Sequence, residues 1–220
     1  MTYNYRCVVN NVLRKTEFGP VSETNDSEFN GINVEPIVDR IKDWTNEVYI
    51  EICNSGFWRF LETEASFSTV IGQQNYSVAD NCQVNRIINV REIHTPSLLR
   101  RIDFKDIDKC YPDTLQTTSA TPRYYYFLDN TIYLYPVPNS VITVKYRYYK
   151  MVSELINSTE VPEIPEQWKW VWVNGVLVRV NQYLQDQSLN TAQMHYYDGL
   201  LQMRAANRAD IQRKNSINPY

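Results

Sequence analysis

The sequence predicts an α+β protein in which a helical bundle carries an inserted antiparallel β domain. Apolar residues recur at helical spacing up to Gly56, alternate at strand spacing between residues 66 and 150, and return to helical spacing after Pro165. A chain of 220 residues, 43% of them hydrophobic, can bury a sizeable core. The predicted boundaries are 1–65 for the N-terminal helices, 66–150 for the β domain, 151–208 for the C-terminal helices and 209–220 for an extended tail.

Two helices are expected before the β domain. The first covers residues 4–15 and places four apolar residues on one side, namely Val8, Val9, Val12 and Leu13. The second begins near Pro36, a residue that suits a first helical turn. Its apolar stripe contains Ile37, Ile41, Trp44, Val48 and Ile52. We expect the apolar cluster that follows, residues 57–61, to be buried.

Alternating apolar and polar residues predict the strands of the middle segment. Residues 67–78 are predicted to form a hairpin that turns at Gly72. A second turn is predicted at Asp129 and Asn130, and Asp103 is a predicted N-cap for a helical turn over residues 103–109. The other predicted strands cover residues 84–93, 123–128, 131–135 and 141–149.

Two further helices are expected after Pro165. Trp168, Trp170 and Trp172 fall in a window that is apolar on all sides, which favours a helix inside the bundle. The alternative is a stacking platform for single-stranded nucleic acid, but only one cation, Lys169, lies nearby. The last helix begins near residue 190, with one face formed by Met194, Tyr197, Leu201 and Ala205. Residues 209–220 are too polar to hold a helix against a core, so we expect them to be mobile.

Composition and motifs argue against several classes of function. The 22 basic and 25 acidic residues give a net charge of -3, unlike a protein that wraps nucleic acid. No apolar run reaches the ~18 residues of a membrane span, and no secretion signal opens the chain, so we expect a soluble protein. The four cysteines are widely spaced and are interpreted as reduced thiols. We therefore predict no catalytic site, no metal site and no cofactor.

Acidic pairs such as Glu62 with Glu64 are interpreted as solvated charges, and His94 and His195 as surface or hydrogen-bonded histidines. A small hydrolase built on Asp103, Asp106 and Asp108 is a further alternative, because these carboxylates cluster in the sequence. The 17 tyrosines and 5 tryptophans favour protein interfaces. Cations alternate with rings in residues 123–126 and 145–150, a pattern typical of a sheet with one wet face or of a subunit interface. Nucleic-acid binding is the alternative.

Seven phrases of the sequence occur in a characteristic order. The first two are residues 9–15 in the opening helix and residues 55–61 after the second helix. Residues 69–78 follow with the hairpin pattern TxxGxQxYxV, and the other phrases are residues 99–104, 121–125, 132–138 and 147–149. In this order the phrases resemble those of phage head-to-tail adaptor proteins of the tail tubular protein A or head completion connector type. Residues 18–33 depart from that family's opening.

The resemblance implies a virion structural protein that is made in the host cytoplasm and is not an enzyme. It implies a twelvefold ring that docks between the portal and the tail or nozzle protein and lines the DNA exit channel, with DNA passing without sequence-specific binding. No membrane partner is expected. The alternative is a nucleic-acid-binding accessory protein. We assign the portal contact to Arg208, Arg213, Lys214, Ile217 and Tyr220. We expect one face of the β domain's sheet to be packed and the other face to carry Tyr124, Tyr126, Arg147 and Tyr149. We assign contacts with ring neighbours or the tail to these four residues.

Overall fold

The computed structural model describes residues 3–22, 29, 36–93, 98–103, 105–106 and 119–217, with the backbone alone for residues 84 and 210–217. The chain is α+β. It divides into two compact units: a helical unit formed by Met1–Phe60 with Val152–Tyr220, and a β unit formed by Leu61–Met151. The chain therefore passes from one unit to the other twice.

The described part of the helical unit contains four α-helices. They are α1 Tyr5–Lys15, α2 Pro36–Asn54, α3 Lys169–Leu184 and α4 Leu189–Ile217. Asn4 caps α1, because its side-chain oxygen accepts a hydrogen bond from the Cys7 amide at 2.9 Å. The helices predicted at residues 4–15 and from Pro36 are confirmed.

Helix α3 contacts each of the other three helices. Its residues 171–177 are all buried, because apolar side chains surround this part of the helix. Gly175 allows the close approach: a Cβ at this position would lie 2.6 Å from Val48 Cγ1 and 2.8 Å from Tyr196 Cε2. The predicted helix is confirmed. Trp172 is fully buried while Trp170 is exposed, so these rings do not form one exposed stacking surface.

Three asparagine side-chain amides each donate one hydrogen bond to a backbone carbonyl and accept one from a backbone amide, as the backbone of a neighbouring strand would. Asn10 bonds both backbone groups of Val21, at 2.9 and 3.0 Å. Asn46 does the same to Leu155, donating to its carbonyl at 3.0 Å and accepting from its amide at 2.9 Å. Asn207 donates to the Phe57 carbonyl at 3.0 Å and accepts from the Arg59 amide at 2.9 Å. These pairs hold connecting segments against the helices.

The β unit contains two main sheets. A three-stranded antiparallel sheet has the order β1-β9-β3, and a four-stranded sheet has the order β2-β7-β6-β4, with β4 parallel to β6. A short parallel pair joins β5 and β8. The strands are β1 Glu62–Ser68, β2 Asn75–Ser77, β3 Cys82–Glu92, β4 Arg100–Arg101, β5 Ser119–Ala120, β6 Tyr124–Leu128, β7 Thr131–Tyr135, β8 Val137–Pro138 and β9 Thr143–Lys150.

One core joins residues from both sheets. Val144, Tyr146 and Tyr148 project into it from β9, whereas Lys145 and Arg147 alternate with them on the other face. Tyr125, Ile132 and Leu134 enter it from the other sheet. Cations therefore alternate with rings in residues 145–150 because the sheet has one buried and one wet face.

The predicted hairpin over residues 67–78 is wrong. Strand β1 pairs with β9 and strand β2 pairs with β7, so the turn at Gly72 carries the chain from one sheet to the other. The Phe67 and Tyr76 rings still stack, with their centroids 4.6 Å apart. The alternation of residues shows that both segments are strands, but it does not select their partners, which lie far along the chain.

Other expectations have mixed outcomes. The turn at Asp129 and Asn130 is confirmed, since β6 and β7 pair antiparallel around it. Within residues 57–61, Trp58 and Leu61 are buried, but Phe57 is 56% exposed, so burial of the whole cluster is wrong. Asp103 accepts a hydrogen bond from the Lys105 amide at 3.0 Å, as an N-cap would, but residues 104 and 107–109 lie outside the described residues.

Candidate interaction surfaces

Tyr124 and Tyr126 lie on β6, directly opposite Tyr135 and Tyr133 on β7. The four tyrosines share one face of the four-stranded sheet. The Tyr126 and Tyr133 rings stack with their centroids 4.9 Å apart, and Ile102 packs against the same cluster. Tyr126 and Tyr135 are buried, whereas Tyr124 and Tyr133 remain partly exposed. Only the second pair offers ring surface to a partner.

Arg147 and Tyr149 lie on the other sheet, on the wet face of β9. The idea that they share one sheet face with Tyr124 and Tyr126 is therefore wrong. Glu64 contacts Lys145 Nζ and lies 3.5 Å from Arg147 Nε, and hydrogen bonding by Lys145 lowers the pKa of its carboxyl. Burial, and then the charge of Glu62, raises the pKa of Tyr149. Acidic side chains thus neutralise positive charges that would be needed to bind the phosphates of a nucleic acid.

Helix α4 carries two apolar stripes. The inner stripe is buried and consists of Ala192, Tyr196, Leu200 and Met203. The stripe that the sequence predicted to be apolar, Met194, Tyr197 and Leu201, is 57%, 62% and 60% exposed, and Ala205 is also exposed. These residues lie three and four positions apart and so form one continuous face. We call Met194, Tyr197 and Leu201 the outer stripe.

The predicted extended tail is wrong for residues 209–217, whose backbone continues α4. The segment holds no glycine or proline before Pro219 and is rich in residues of high helix propensity. A helix of 29 residues is about 43 Å long, at about 1.5 Å per residue. Arg208 is exposed, Arg213, Lys214 and Ile217 lie on the helical backbone, and Tyr220 lies outside the described residues. Most of the residues that the sequence analysis assigned to a portal contact thus belong to a helix.

A cavity of about 220 Å³ opens in the helical unit. Its apolar lining comes from Trp58, Phe60, Pro165, Trp168, Met203 and Ala206. Arg59, Gln167 and Asn207 complete the lining. The Trp58 ring is fixed by its own hydrogen bond to the Ile52 carbonyl, at 2.6 Å, and stacks on Phe60. Sequence reasoning missed this site, although the dense aromatic residues at 57–61 were a signal for it.

The described residues hold no group of three or more His, Cys, Asp or Glu side chains that could bind a metal. Cys7, Cys53 and Cys82 are in no disulfide there, and His195 is exposed. His94, Asp108 and the fourth cysteine, Cys110, lie outside the described part. No described helix is both long and apolar enough to cross a membrane.

Comparison with protein families gives a match to the model of the SU10 adaptor protein over residues 22–219. No curated protein matches the chain. The family match covers most of the sequence and agrees with the resemblance to phage head-to-tail adaptors. The chain therefore belongs to the SU10 adaptor protein family.

Proposed function

We propose that this protein forms a ring that docks between the portal and the tail of a phage and lines the DNA exit channel. Family membership makes it a phage structural adaptor protein. The observation that supports docking is the outer stripe of α4, because a large apolar helix face in contact with water is typical of a surface that binds another protein. We propose twelve subunits in the ring, by analogy with similar adaptors.

Helix α4 is the proposed portal-binding element. The outer stripe leads along the helix toward Arg208, and the chain then continues through Arg213, Lys214 and Ile217 to Tyr220. An ordered helix that lays one face into a groove loses less conformational entropy than a free tail that folds on binding. The helical backbone thus replaces the flexible tether suggested by composition.

The β unit is the proposed source of contacts with ring neighbours or the tail. Tyr124 offers a partly exposed ring, while Tyr126 supports it from within the aromatic cluster. Arg147 and Tyr149 lie on the wet face of the other sheet and have access to solvent. Two separate patches follow, one on each sheet, instead of one continuous surface.

The function is tested by imaging phage particles made without this protein. Filled capsids that carry portals but no tails are the expected product, and adding purified protein should restore tail attachment. Tails that remain attached in its absence would show that the proposal is wrong. Titration of the purified protein with double-stranded DNA at several salt concentrations tests the alternative, since tight, salt-sensitive binding by a monomer would favour a nucleic-acid-binding accessory protein.

Replacing the outer stripe by polar residues should weaken docking strongly while leaving the fold intact. We expect the triple variant Met194→Gln, Tyr197→Gln, Leu201→Gln to bind portal-bearing capsids at least tenfold more weakly, because the apolar area that would be buried is lost. Its free energy of unfolding should change by less than about 1 kcal/mol, since the three side chains are exposed. Cosedimentation with capsids and urea unfolding measure the two quantities.

The matched control for this variant is Ile156→Gln, which replaces another exposed aliphatic residue of the helical unit. It should dock normally. A chain that ends at residue 209 tests the rest of α4 and should also dock weakly. Normal docking by the triple variant and by the shortened chain would show that α4 does not make the portal contact.

A further inference from the structure

The β unit displays an uncharged apolar tip, formed by Val70, Ile71 and Val141. Their side chains are 54%, 63% and 68% exposed. Two loops bring them together, because Thr69 bonds the backbone of both Ser140 and Ile142 through its hydroxyl, at 3.0 and 2.9 Å. We call these three side chains the tip.

Hydrogen bonds hold the tip in one conformation. The Gly72 amide donates to the Pro138 carbonyl at 3.0 Å, and the Thr69 amide donates to Ile142 at 2.8 Å. The Tyr76 hydroxyl accepts from the Val70 amide at 3.0 Å and donates to the Gln73 carbonyl at 2.7 Å. Gly72 adopts a φ of 80°, which few other residues tolerate. A surface that is already ordered loses little conformational entropy when it binds.

The composition of the two segments that carry the tip indicates a protein partner. Residues 69–78 and 131–144 contain no Asp, Glu, Lys, Arg or His. Segments that insert into a membrane surface combine apolar side chains with basic residues or with Trp and Phe, and the tip has neither. Its aliphatic side chains match an apolar cavity in a protein.

The cavity of the helical unit has the matching properties. Six apolar residues line it, and two of them, Trp58 and Phe60, are stacked on each other and thus fixed in place. An apolar cavity of about 150 Å³ holds a benzene molecule. A volume of about 220 Å³ therefore accommodates one or two branched aliphatic side chains. Three polar residues, Arg59, Gln167 and Asn207, complete the lining together with these apolar groups.

We propose that the tip of one copy inserts into the cavity of the next copy of the chain. This inference rests on the proposed ring and specifies its subunit contact. When one patch of a chain binds a different patch of the next copy, the interface is head-to-tail. Such interfaces close into a ring when the rotation that relates neighbouring copies adds up to a full turn. The contact buries an uncharged tip against a mainly apolar lining, so the tip brings no ion that has to be desolvated.

Two variants disable the two halves of this contact separately. Ile71→Asp places a charge on the tip, and Ala206→Trp fills the cavity from an exposed position on α4. Each variant alone should raise the protein concentration at half-association at least tenfold, measured by light scattering after size exclusion and by crosslinking of capsid-bound protein. The matched control, Ile156→Asp, should associate normally.

Mixing the variants tests the head-to-tail direction. Ile71→Asp retains an open cavity and Ala206→Trp retains an apolar tip, so an equal mixture should form one-to-one pairs and nothing larger. A mixture of Ile71→Asp with Ala206→Lys should instead restore full assembly, because the aspartate of one chain meets the lysine of the other and the remaining contacts are unchanged. Full assembly by either single variant, or a mixture that behaves like its components, would overturn the inference.

A pair of introduced cysteines tests the same contact on the capsid, where it can be detected even when the free protein is monomeric. The variant Ile71→Cys, Ala206→Cys should give a covalent ladder of subunits on mild oxidation after docking to portal-bearing capsids. Wild-type docking without such a ladder, together with normal assembly of Ile71→Asp on capsids, would reject the contact and leave the proposed adaptor function intact. If wild-type protein neither docks nor associates in solution, both proposals are wrong.

Discussion

Raising the pH above 10 should unfold the protein cooperatively. Burial raises the pKa of tyrosines in both units, with Tyr5, Tyr49 and Tyr196 in the helical unit and Tyr125 and Tyr146 in the β unit. In the unfolded chain the same phenols ionise near their ordinary pKa of 10.0. The stability that depends on neutral tyrosines is therefore fully present below pH 10 and is lost as the pH rises toward the raised values.

Local contacts strengthen this effect at particular tyrosines. Tyr196 is buried and donates a hydrogen bond to Glu51 at 2.9 Å, so a phenolate there would lose its partner and face a carboxylate. At Tyr5, burial is the largest cause of the raised pKa, and the charge of Asp43 raises this pKa further. Burial also raises the pKa of the Cys82 thiol to about 11, which adds a loss of stability with the same sign.

Phenolate absorbance at 295 nm and far-ultraviolet circular dichroism, followed across the same pH range, measure this effect. Both signals should change in one shared transition. The variant Tyr196→Phe should be about 1 kcal/mol less stable at pH 7, having lost one hydrogen bond, and its stability should fall less steeply with pH because one titrating group is gone. Gradual phenolate formation centred at pH 10, with unchanged circular dichroism, would contradict the prediction.

The substitution Trp172→Ala should cost about 3–5 kcal/mol of unfolding free energy, as expected for truncating a buried tryptophan. The Trp172 ring is fully buried and lies 5.1 Å from the Tyr49 ring, centroid to centroid. Its indole nitrogen donates a hydrogen bond to the Thr45 carbonyl at 2.8 Å. Truncation removes this bond and leaves a large cavity between α2 and α3.

Urea unfolding at pH 7 measures the loss, and Trp172→Phe separates its two sources. Phenylalanine keeps most of the packing but not the hydrogen bond, so it should cost about 1–3 kcal/mol. A loss below about 1.5 kcal/mol for the alanine variant would mean that α2 and α3 do not depend on this side chain.

The sequence predicted those parts of the fold that local patterns determine. Helices α1 and α2 have clear ends and a single apolar stripe, and the turn at Asp129 joins two strands that pair with each other. The partner of β1 could not be predicted in this way. Glu62 pairs with Tyr149, far away along the chain, and alternation is the same whichever strand lies alongside.

Periodicity was also insufficient for α4, because this helix has two apolar stripes. The stripe through Tyr197 was predicted, but the one through Tyr196 and Leu200 packs against α3. Gly199 lies on the buried side, where a Cβ would come within 2.7 Å of Val171 Cγ2. A glycine inside a long helix was therefore the signal for close packing, and it identifies the inner stripe.

The asparagine pairs have a mechanical consequence. A pull on the β unit reaches the helical unit as tension in the two connecting segments. Asn207 holds the first segment at Phe57 and Arg59, and Asn46 holds the second at Leu155. Because each asparagine makes two bonds side by side, tension along a segment loads both bonds together and does not peel them apart in sequence. Force is thereby delivered to α4 and α2, the two long helices, before it can unravel the segments that link the units.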